Sequence, residues 1–381
     1  MSVPAAGAAN AAIEVASGNG DALRHLHAPA NTYPHEAQRD FEVREGILET
    51  HAPFNLFHGG WLSSARIAWR LAGETGAPVI AALGGISAHR TVFSDAIHEG
   101  WWDTLVGDGK PLDTRRCRVL GIDFLGGSGG STGPTLDETF PSVSSYDQAE
   151  ALRLVLDHLG VTTLQAIAGA SYGGMVALAF AARFPAHLQR LLVISAAHRT
   201  HPMATAWRCV QREIVRRALE QGNGAAGLEL ARALAMATYR SAEEFSARFS
   251  SNATRGPDGT FEFPVAQYLF ARGAAYSARH SPSAFLCLSE SIDLHAIDPA
   301  AVRTPTTLVG VRQDQLVPTA DLQELAHQLG AAARLVELDS SYGHDAFLKE
   351  PAQLAPVFES ALFAPLPPAA APVCKPENSR D

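Results

Sequence analysis

The order of apolar segments predicts an α/β protein whose mostly parallel sheet carries helices on both faces. Short apolar runs, typical of strands buried on both faces, alternate with stretches of helical periodicity. Strands that alternate with helices form parallel sheets. One long stretch, residues 199–298, has helical spacing almost throughout. An insertion between two strands would lie over their carboxyl ends, where open α/β sheets bind ligands, so we predict a helical lid there.

The individual elements follow from local patterning. Phe41–Thr50 and Ala65–Leu71 alternate apolar and polar residues, which predicts an antiparallel pair with one buried face. Apolar runs predict the parallel strands, and amphipathic segments predict the helices between them. The predicted strands are Pro78–Leu83, Arg118–Phe124, Leu164–Gly169, Leu191–Ser195, Thr306–Val311 and Arg334–Leu338, and the predicted helices are Tyr146–Leu159, Gly174–Phe184 and Thr319–Leu329.

The same patterning divides the chain into a core, a lid and two tails. The core is predicted over residues 31–198 and 299–364, on either side of the lid at 199–298. Residues 1–30 are Ala/Gly-rich and residues 365–381 are Pro/Ala-rich, and neither shows sustained periodicity. We therefore expect both ends to be disordered tails.

Length and composition exclude several classes of protein. The 381 residues are 46% hydrophobic and 18% charged, which is ordinary for a globular protein. A net charge of −9 argues against nucleic-acid binding, and no apolar run is long enough for a membrane helix. The first residues lack the features of a signal peptide, and the four cysteines match no metal-binding spacing. We expect a cytoplasmic protein with reduced thiols, no structural metal and no membrane or nucleic-acid partner.

A Gly-x-Ser-x-Gly motif indicates a nucleophile. Gly169-Ala170-Ser171-Tyr172-Gly173 follows an apolar strand and precedes an Ala/Leu/Phe-rich helix. In this context, small residues permit a sharp strand-to-helix turn, and the helix N-terminus favours a developing oxyanion. The alternative is a plain strand-to-helix turn. We predict that Ser171 is the nucleophile of an α/β-hydrolase fold.

A serine nucleophile needs a base, and the base needs an orienting acid. In α/β hydrolases, acid and base follow the serine at the ends of later strands. Asp314 follows the predicted strand Thr306–Val311, and His344 follows Arg334–Leu338. Taken singly, Asp314 could be a turn residue and His344 a solvated loop residue. Their joint position predicts a Ser171–His344–Asp314 triad.

The oxyanion hole is expected to use two backbone N–H groups. One belongs to Tyr172, directly after the nucleophile, and the other to the loop after the predicted strand Pro78–Leu83. Ile86 is the first candidate in that loop, and any residue from Gly85 to Ser87 could serve.

Longer segments resemble the MetX-type homoserine O-acyltransferases. The resemblance extends from Phe41 to Phe363. It rests on Trp101–Pro134 (Trp-Trp, Gly-x-Gly, Leu-Asp-Thr, Gly-Ser-Thr-Gly-Pro), on Gly169–Leu178 at the elbow, on Gly227–Ser241 and Gln267–Arg279 in the lid, and on DQLVP and Gly343–Leu348 around the acid and base. It implies transfer of an acyl group from acyl-CoA to the hydroxyl of L-homoserine, in methionine synthesis, by a ping-pong mechanism. It also implies a homodimer with no cofactor other than the acyl-CoA co-substrate.

The resemblance assigns roles to residues around the triad. Arg232 matches the arginine that binds the homoserine carboxylate, and Asp345 matches the residue that holds its ammonium group. Tyr239 lies two turns after Arg232 on the same helical face and is the expected aromatic partner. Leu316 stands where succinyl-CoA users often carry an arginine, which favours acetyl-CoA. Tyr172 stands where the family more commonly has Met or Leu, and it could narrow the acyl pocket.

Other interpretations remain open at this stage. The donor could be succinyl-CoA and the acceptor serine, and a generic serine esterase would keep the same triad. A non-catalytic hydrolase-fold binding protein is a more remote alternative, because such proteins usually lose a triad member. Arg208, Arg212 and Arg216 fall on one helical face, which we interpret as solvated, although they could meet CoA phosphates or a succinyl carboxylate.

Overall fold

An eight-stranded sheet forms the centre of the molecule. The computed structural model describes residues 40–135, 140–249 and 252–365, so the predicted tail 1–30 and residues 366–381 lie outside the described residues. The strands are β1 (Phe41–Glu49), β2 (Arg66–Glu74), β3 (Val79–Leu83), β4 (Arg118–Ile122), β5 (Ala166–Ala170), β6 (Leu191–Ile194), β7 (Thr306–Val311) and β8 (Ala333–Leu338). Their spatial order is β1-β2-β4-β3-β5-β6-β7-β8.

Only β2 runs against its neighbours within this sheet. It pairs antiparallel with both β1 and β4, and every other neighbouring pair is parallel. The carboxyl ends of β3, β5, β6, β7 and β8 therefore meet at one edge, where ligands bind in such sheets. The predicted α/β-hydrolase fold is confirmed, and the strand bounds differ from the predicted ones by no more than three residues.

Helices cover both faces of the sheet. Outside the lid they are α1 (Ser145–Leu159), α2 (Tyr172–Arg183), α8 (Thr319–Leu329), α9 (Ala346–Lys349) and α10 (Pro351–Phe358). Successive residues of β6 enter different apolar cores: Val193 packs with the cluster that contains α1 and α2, and Ile194 with the one that contains α10. Burial on both faces explains why the parallel strands are continuous apolar runs.

Five helices fill the stretch in which a lid was predicted, between β6 and β7. They are α3 (Pro202–Glu220), α4 (Gly224–Tyr239), α5 (Ala242–Arg248), α6 (Pro264–Ser277) and α7 (Pro282–Asp293). The lid has a small apolar core of its own, which includes Val215, Leu228 and Phe285. It also contains a two-stranded antiparallel pair, Thr254–Arg255 with Phe261–Glu262, which the prediction of an almost wholly helical segment missed.

The two edge strands are more exposed than the sequence predicted. No residue of β1 is buried, and β8 is mostly half-exposed, because each has a neighbour on one side only. By contrast, β2 is buried on both faces rather than one, since it lies between β1 and β4.

The remaining short elements are the strand pairs Phe54–Asn55 with Trp61–Leu62 and Val106–Gly107 with Leu112–Asp113, 3₁₀ turns at Pro185–His187, Pro299–Ala301, Gly330–Ala332 and Gly343–Asp345, and a π-helical segment at Glu359–Phe363.

In the part of the chain that the structure describes, none of the helices has the length and apolar character needed to cross a bilayer. Cys117, Cys209 and Cys287 are free thiols, whereas Cys374 lies outside the described residues.

Candidate active site

Ser171 lies at the turn between β5 and α2 with a strained backbone. Its φ is 54° and its ψ is −124°, a conformation that non-glycine residues rarely adopt. The flanking glycines are required by close packing. A Cβ on Gly169 would lie 2.4 Å from the Gly173 carbonyl oxygen, and one on Gly173 would lie 2.2 Å from the Leu83 carbonyl oxygen. The residues at positions 169 and 173 are therefore glycines because neighbouring backbone atoms leave no room for a Cβ.

The structure brings the three predicted triad residues together. The Ser171 Oγ is 2.8 Å from the His344 Nε2, and the His344 Nδ1 is 2.7 Å from an Asp314 carboxylate oxygen. The other Asp314 oxygen accepts hydrogen bonds from the Leu316 and Val317 amides, at 2.9 and 3.1 Å. These two bonds fix the carboxylate, which in turn orients the imidazole toward the serine.

The surroundings of His344 raise its pKa. Burial alone would disfavour the imidazolium ion and lower the pKa, but the charge and hydrogen bond of Asp314, with help from Asp345, outweigh it, so that the pKa lies above 6.5. The raised pKa makes the imidazole a stronger base, which holds a proton more firmly once it has accepted one.

The loop after β3 lies beside the nucleophile, as predicted for an oxyanion hole. The Gly173 amide donates a 2.7 Å hydrogen bond to the Gly84 carbonyl, which ties this loop to the elbow. A Cβ on Gly85 would lie 4.0 Å from the Ser171 Oγ, and Ile86 lines the same cavity. The Tyr172 amide is the first N–H group of α2, a position that has no acceptor within a helix. Tyr172 and a residue of the Gly85–Ser87 turn remain the predicted donors.

The lid covers a cavity that Ser171 and His344 line. Arg232, from α4, lines this cavity with its guanidinium between two aromatic rings, 4.6 Å from the Tyr276 ring centre and 5.0 Å from the Tyr239 ring centre. It also donates a 3.3 Å hydrogen bond to the Tyr239 hydroxyl. Burial would lower the pKa of Arg232, yet Tyr239, Tyr276 and Asp345 together raise it. Among the described residues, no carboxylate lies within 4.0 Å of this cation.

Tyr239 fills the aromatic position that the sequence predicted for it. Its ring centre is also 5.7 Å from that of His344, so one side chain touches both the lid cation and the catalytic base. Tyr276 was not singled out from the sequence. Its segment, Gln267–Arg279, was recognised only as a block of family resemblance, and helical spacing alone does not show that α6 faces α4.

Asp345 lies at the cavity but already has a protein partner. Its carboxylate is 3.0 Å from Arg240, a residue that the sequence analysis missed. Arg240 directly follows α4, its carbonyl accepts a 2.8 Å hydrogen bond from Gln315, and the Ser241 amide donates to Ser341 at 3.3 Å. The end of α4 is therefore fastened to the loops that carry both the catalytic acid and the catalytic base; we refer to these contacts as the α4 clamp.

The arginine stripe on α3 is not the solvated face that we predicted. Arg208 and Arg212 are nearly buried, and both pair with Asp293 of α7, at 2.7 and 2.5 Å. Only Arg216 is exposed. The prediction failed because a charged stripe does not reveal that a partner helix carries a matching carboxylate. Arg208 and Leu316 both line the catalytic cavity.

The side chain of Tyr172 does not narrow the acyl pocket. Its ring is 1% exposed, its hydroxyl is 2.5 Å from the Ser291 Oγ, and it is not among the residues that line the catalytic cavity. The side chain points into the core against Phe124, with 5.0 Å between ring centres.

This architecture and triad define an α/β hydrolase. A family model described as the alpha/beta hydrolase fold matches residues 96–351, and the chain belongs to that family. Within it, the chain belongs to the MetX-type homoserine O-acyltransferases, as its relatives show.

Two relatives and one solved structure represent the similarity. The chain is 44% identical to a homoserine O-succinyltransferase of Xanthomonas campestris pv. campestris, over 87% of this chain and 88% of the relative. It is 33% identical to a homoserine O-acetyltransferase of Moorella thermoacetica, over 81% and 93% of the two chains. The crystal structure of a homoserine O-acetyltransferase from Bacillus anthracis superposes with a TM-score of 0.75 at 17% identity, covering 86% of this chain and 99% of that one, which shows the fold alone.

Proposed function

We propose that this protein transfers an acyl group from an acyl-CoA to the side-chain hydroxyl of L-homoserine. The observation that carries the proposal is the cavity itself, in which a Ser–His–Asp triad faces a buried arginine with no carboxylate partner among the described residues. A hydrolase of simple esters has no need of Arg232, whereas an amino-acid acceptor brings a carboxylate that suits its planar fork.

In the first half-reaction, Ser171 attacks the thioester carbonyl carbon while His344 Nε2 takes the hydroxyl proton. Charge collects on the carbonyl oxygen, where the amides of Tyr172 and a residue of the Gly85–Ser87 turn stabilise it. The carbon–sulfur bond then breaks, His344 returns its proton to the sulfur, and CoA leaves an acyl-serine behind. Asp314 holds the imidazole and stabilises its charged form throughout.

In the second half-reaction, homoserine replaces CoA. Arg232 binds its carboxylate, and Asp345, held by Arg240, accepts hydrogen bonds from its ammonium group. His344 deprotonates the homoserine hydroxyl, which attacks the acyl carbon, and the collapsing intermediate returns the proton to Ser171. One serine and one base serve both steps, so ping-pong kinetics are expected.

For the donor, two observations favour different acyl groups. The family resemblance favours acetyl-CoA, because Leu316, which lines the cavity, stands where succinyl-CoA users often carry an arginine. The Xanthomonas relative bears the name of a succinyltransferase. Serine remains a second candidate acceptor. From the family resemblance alone, we further propose a cytoplasmic homodimer that acts in methionine synthesis and needs no cofactor beyond the acyl-CoA co-substrate.

A free-thiol release assay tests the proposal. Acetyl-CoA and succinyl-CoA are each supplied with homoserine, serine or water. Fast CoA release that requires homoserine supports the transferase, and Ser171→Ala should release none. Release at the same rate without any amino acid would replace the proposal with the esterase interpretation.

A further inference from the structure

A cluster of unbalanced charge forms part of the cavity wall. Arg208 and Arg212 share the single carboxylate of Asp293, and the three side chains are 11%, 9% and 11% exposed, respectively. Arg212 also donates to the carbonyl and hydroxyl of Ser289, at 3.0 and 3.1 Å. Two cations and one anion leave one positive charge in a poorly solvated place, which is costly unless an anion binds there.

Arg208 is the member of this cluster that a ligand can reach. It lines the cavity that contains Ser171, whereas Arg212 does not. Hydrogen bonds to Asp293 and Thr205 occupy its Nε and Nη2, and its Nη1 has no hydrogen-bond partner among the described residues. Arg208 is also close enough to the triad for its charge to oppose the rise in the pKa of His344.

A second polar group in the cavity also lacks a partner. Ser195 follows β6 with a φ of 51°, is 1% exposed, and its buried hydroxyl has no hydrogen-bond partner within the described residues. It lines the same cavity as Arg208. A buried hydroxyl without a partner is costly, so a strained residue that keeps one points to a ligand.

The acceptor does not account for this cation. Homoserine has one carboxylate, and in the proposed function Arg232 of α4 binds it, which leaves the Arg208 charge on α3 for the donor. We propose that Arg208 binds the distal carboxylate of a short dicarboxylic acyl group and so selects a succinyl-type thioester. This inference rests on the proposed function and deepens it. Leu316 then serves as an apolar wall for the two methylene groups of the acyl chain, rather than as the mark of an acetyl donor.

The test compares three donors with homoserine held at saturation. Succinyl-CoA and butyryl-CoA have acyl chains of the same length and differ in the terminal carboxylate, and acetyl-CoA is the small reference. The ratio of kcat/KM for succinyl-CoA to that for butyryl-CoA should be large in the unmodified protein. Arg208→Gln should reduce this ratio by about 10- to 100-fold, the usual value of a charge-assisted hydrogen bond, and the ratio cancels any effect of the lost charge on His344 that both donors share.

Two further variants separate selection from structure. Arg216→Gln changes an exposed arginine two turns along the same helix and should leave the ratio as it is. Arg208→Lys keeps the charge and should restore part of the ratio. The inference would be overturned if the unmodified protein used butyryl-CoA or acetyl-CoA as well as it uses succinyl-CoA. It would also be overturned if Arg208→Gln lost the same factor in kcat/KM with all three donors. If no donor supports homoserine-dependent CoA release, the proposed function itself fails.

Discussion

Replacing Arg232 with Gln should separate the two half-reactions. The guanidinium lies 4.6 and 5.0 Å from two ring centres and has no carboxylate within 4.0 Å in the described residues, so its strongest possible partner is the substrate. Two charge-assisted hydrogen bonds to the homoserine carboxylate, at about 1.5 kcal/mol each, amount to about 3 kcal/mol. That corresponds to a fall of about 150-fold in kcat/KM for homoserine.

The loss should be confined to transfer. The acyl-CoA lacks the ammonium and carboxylate of the acceptor, so the burst of CoA release in the absence of homoserine should keep its rate, and mass spectrometry should detect the acyl group on Ser171. Folding should survive, because two cation–π contacts contribute about 0.5–2 kcal/mol each and burial of the unpaired cation opposes them. Arg216→Gln is the matched control. A burst that slows as much as steady-state turnover would refute the acceptor role.

Three further predictions test the catalytic base His344, the buried hydroxyl of Ser195 and the tight turn at Gly173. Because His344 must be neutral to accept a proton, kcat/KM should fall as the pH drops through the pKa of His344, which Asp314 raises above its ordinary value. Asp314→Asn should move this acidic limb to lower pH and reduce kcat by about 10⁴-fold. An acidic limb that stays at the same pH in this variant would contradict the assignment. Ser195→Ala removes a buried hydroxyl that has no hydrogen-bond partner among the described residues, and so it should raise the free energy of unfolding by about 1 kcal/mol in a denaturant titration. A lower free energy of unfolding would mean that the hydroxyl makes a hydrogen bond. Gly173→Ala places a Cβ 2.2 Å from the Leu83 carbonyl oxygen and should lower the free energy of unfolding by about 2 kcal/mol. An unchanged melting temperature would argue against the close packing of this turn.

The sequence predicted the fold well where burial is symmetric. Apolar runs such as Thr306–Val311 became strands with few boundary errors, because strands covered on both faces carry little besides apolar residues. The order of Ser171, Asp314 and His344 along the chain was enough to predict that they would meet, since loops at the carboxyl ends of parallel strands share one edge. Strand order was not predicted, and so the exposure of β1 and β8 was missed.

Lid contacts were the least predictable part of the site. The partners of Asp345 and Arg208 depend on how five helices pack, and helical spacing shows which residues share a face without showing what that face meets. Arg240 follows a helix end and has no motif of its own, so only its 3.0 Å contact with Asp345 reveals its role. Asp293 lies 81 residues after Arg212, and no sequence pattern indicates that its carboxylate pairs with that arginine.

The α4 clamp has a consequence for how this family can recombine. In a chimaera whose junction falls between Tyr239 and Ser241, a foreign helix is joined to the native loops that carry Asp314 and His344. That helix must then re-create the contacts that Arg240 makes with Asp345 and Gln315. A junction in the turn between α3 and α4, at Gln221–Asn223, leaves those bonds with their original partners. We therefore expect α4 and the catalytic loops to be exchangeable only together, and an exchanged α3 to need the Asp293 carboxylate of α7 as the partner of Arg208 and Arg212.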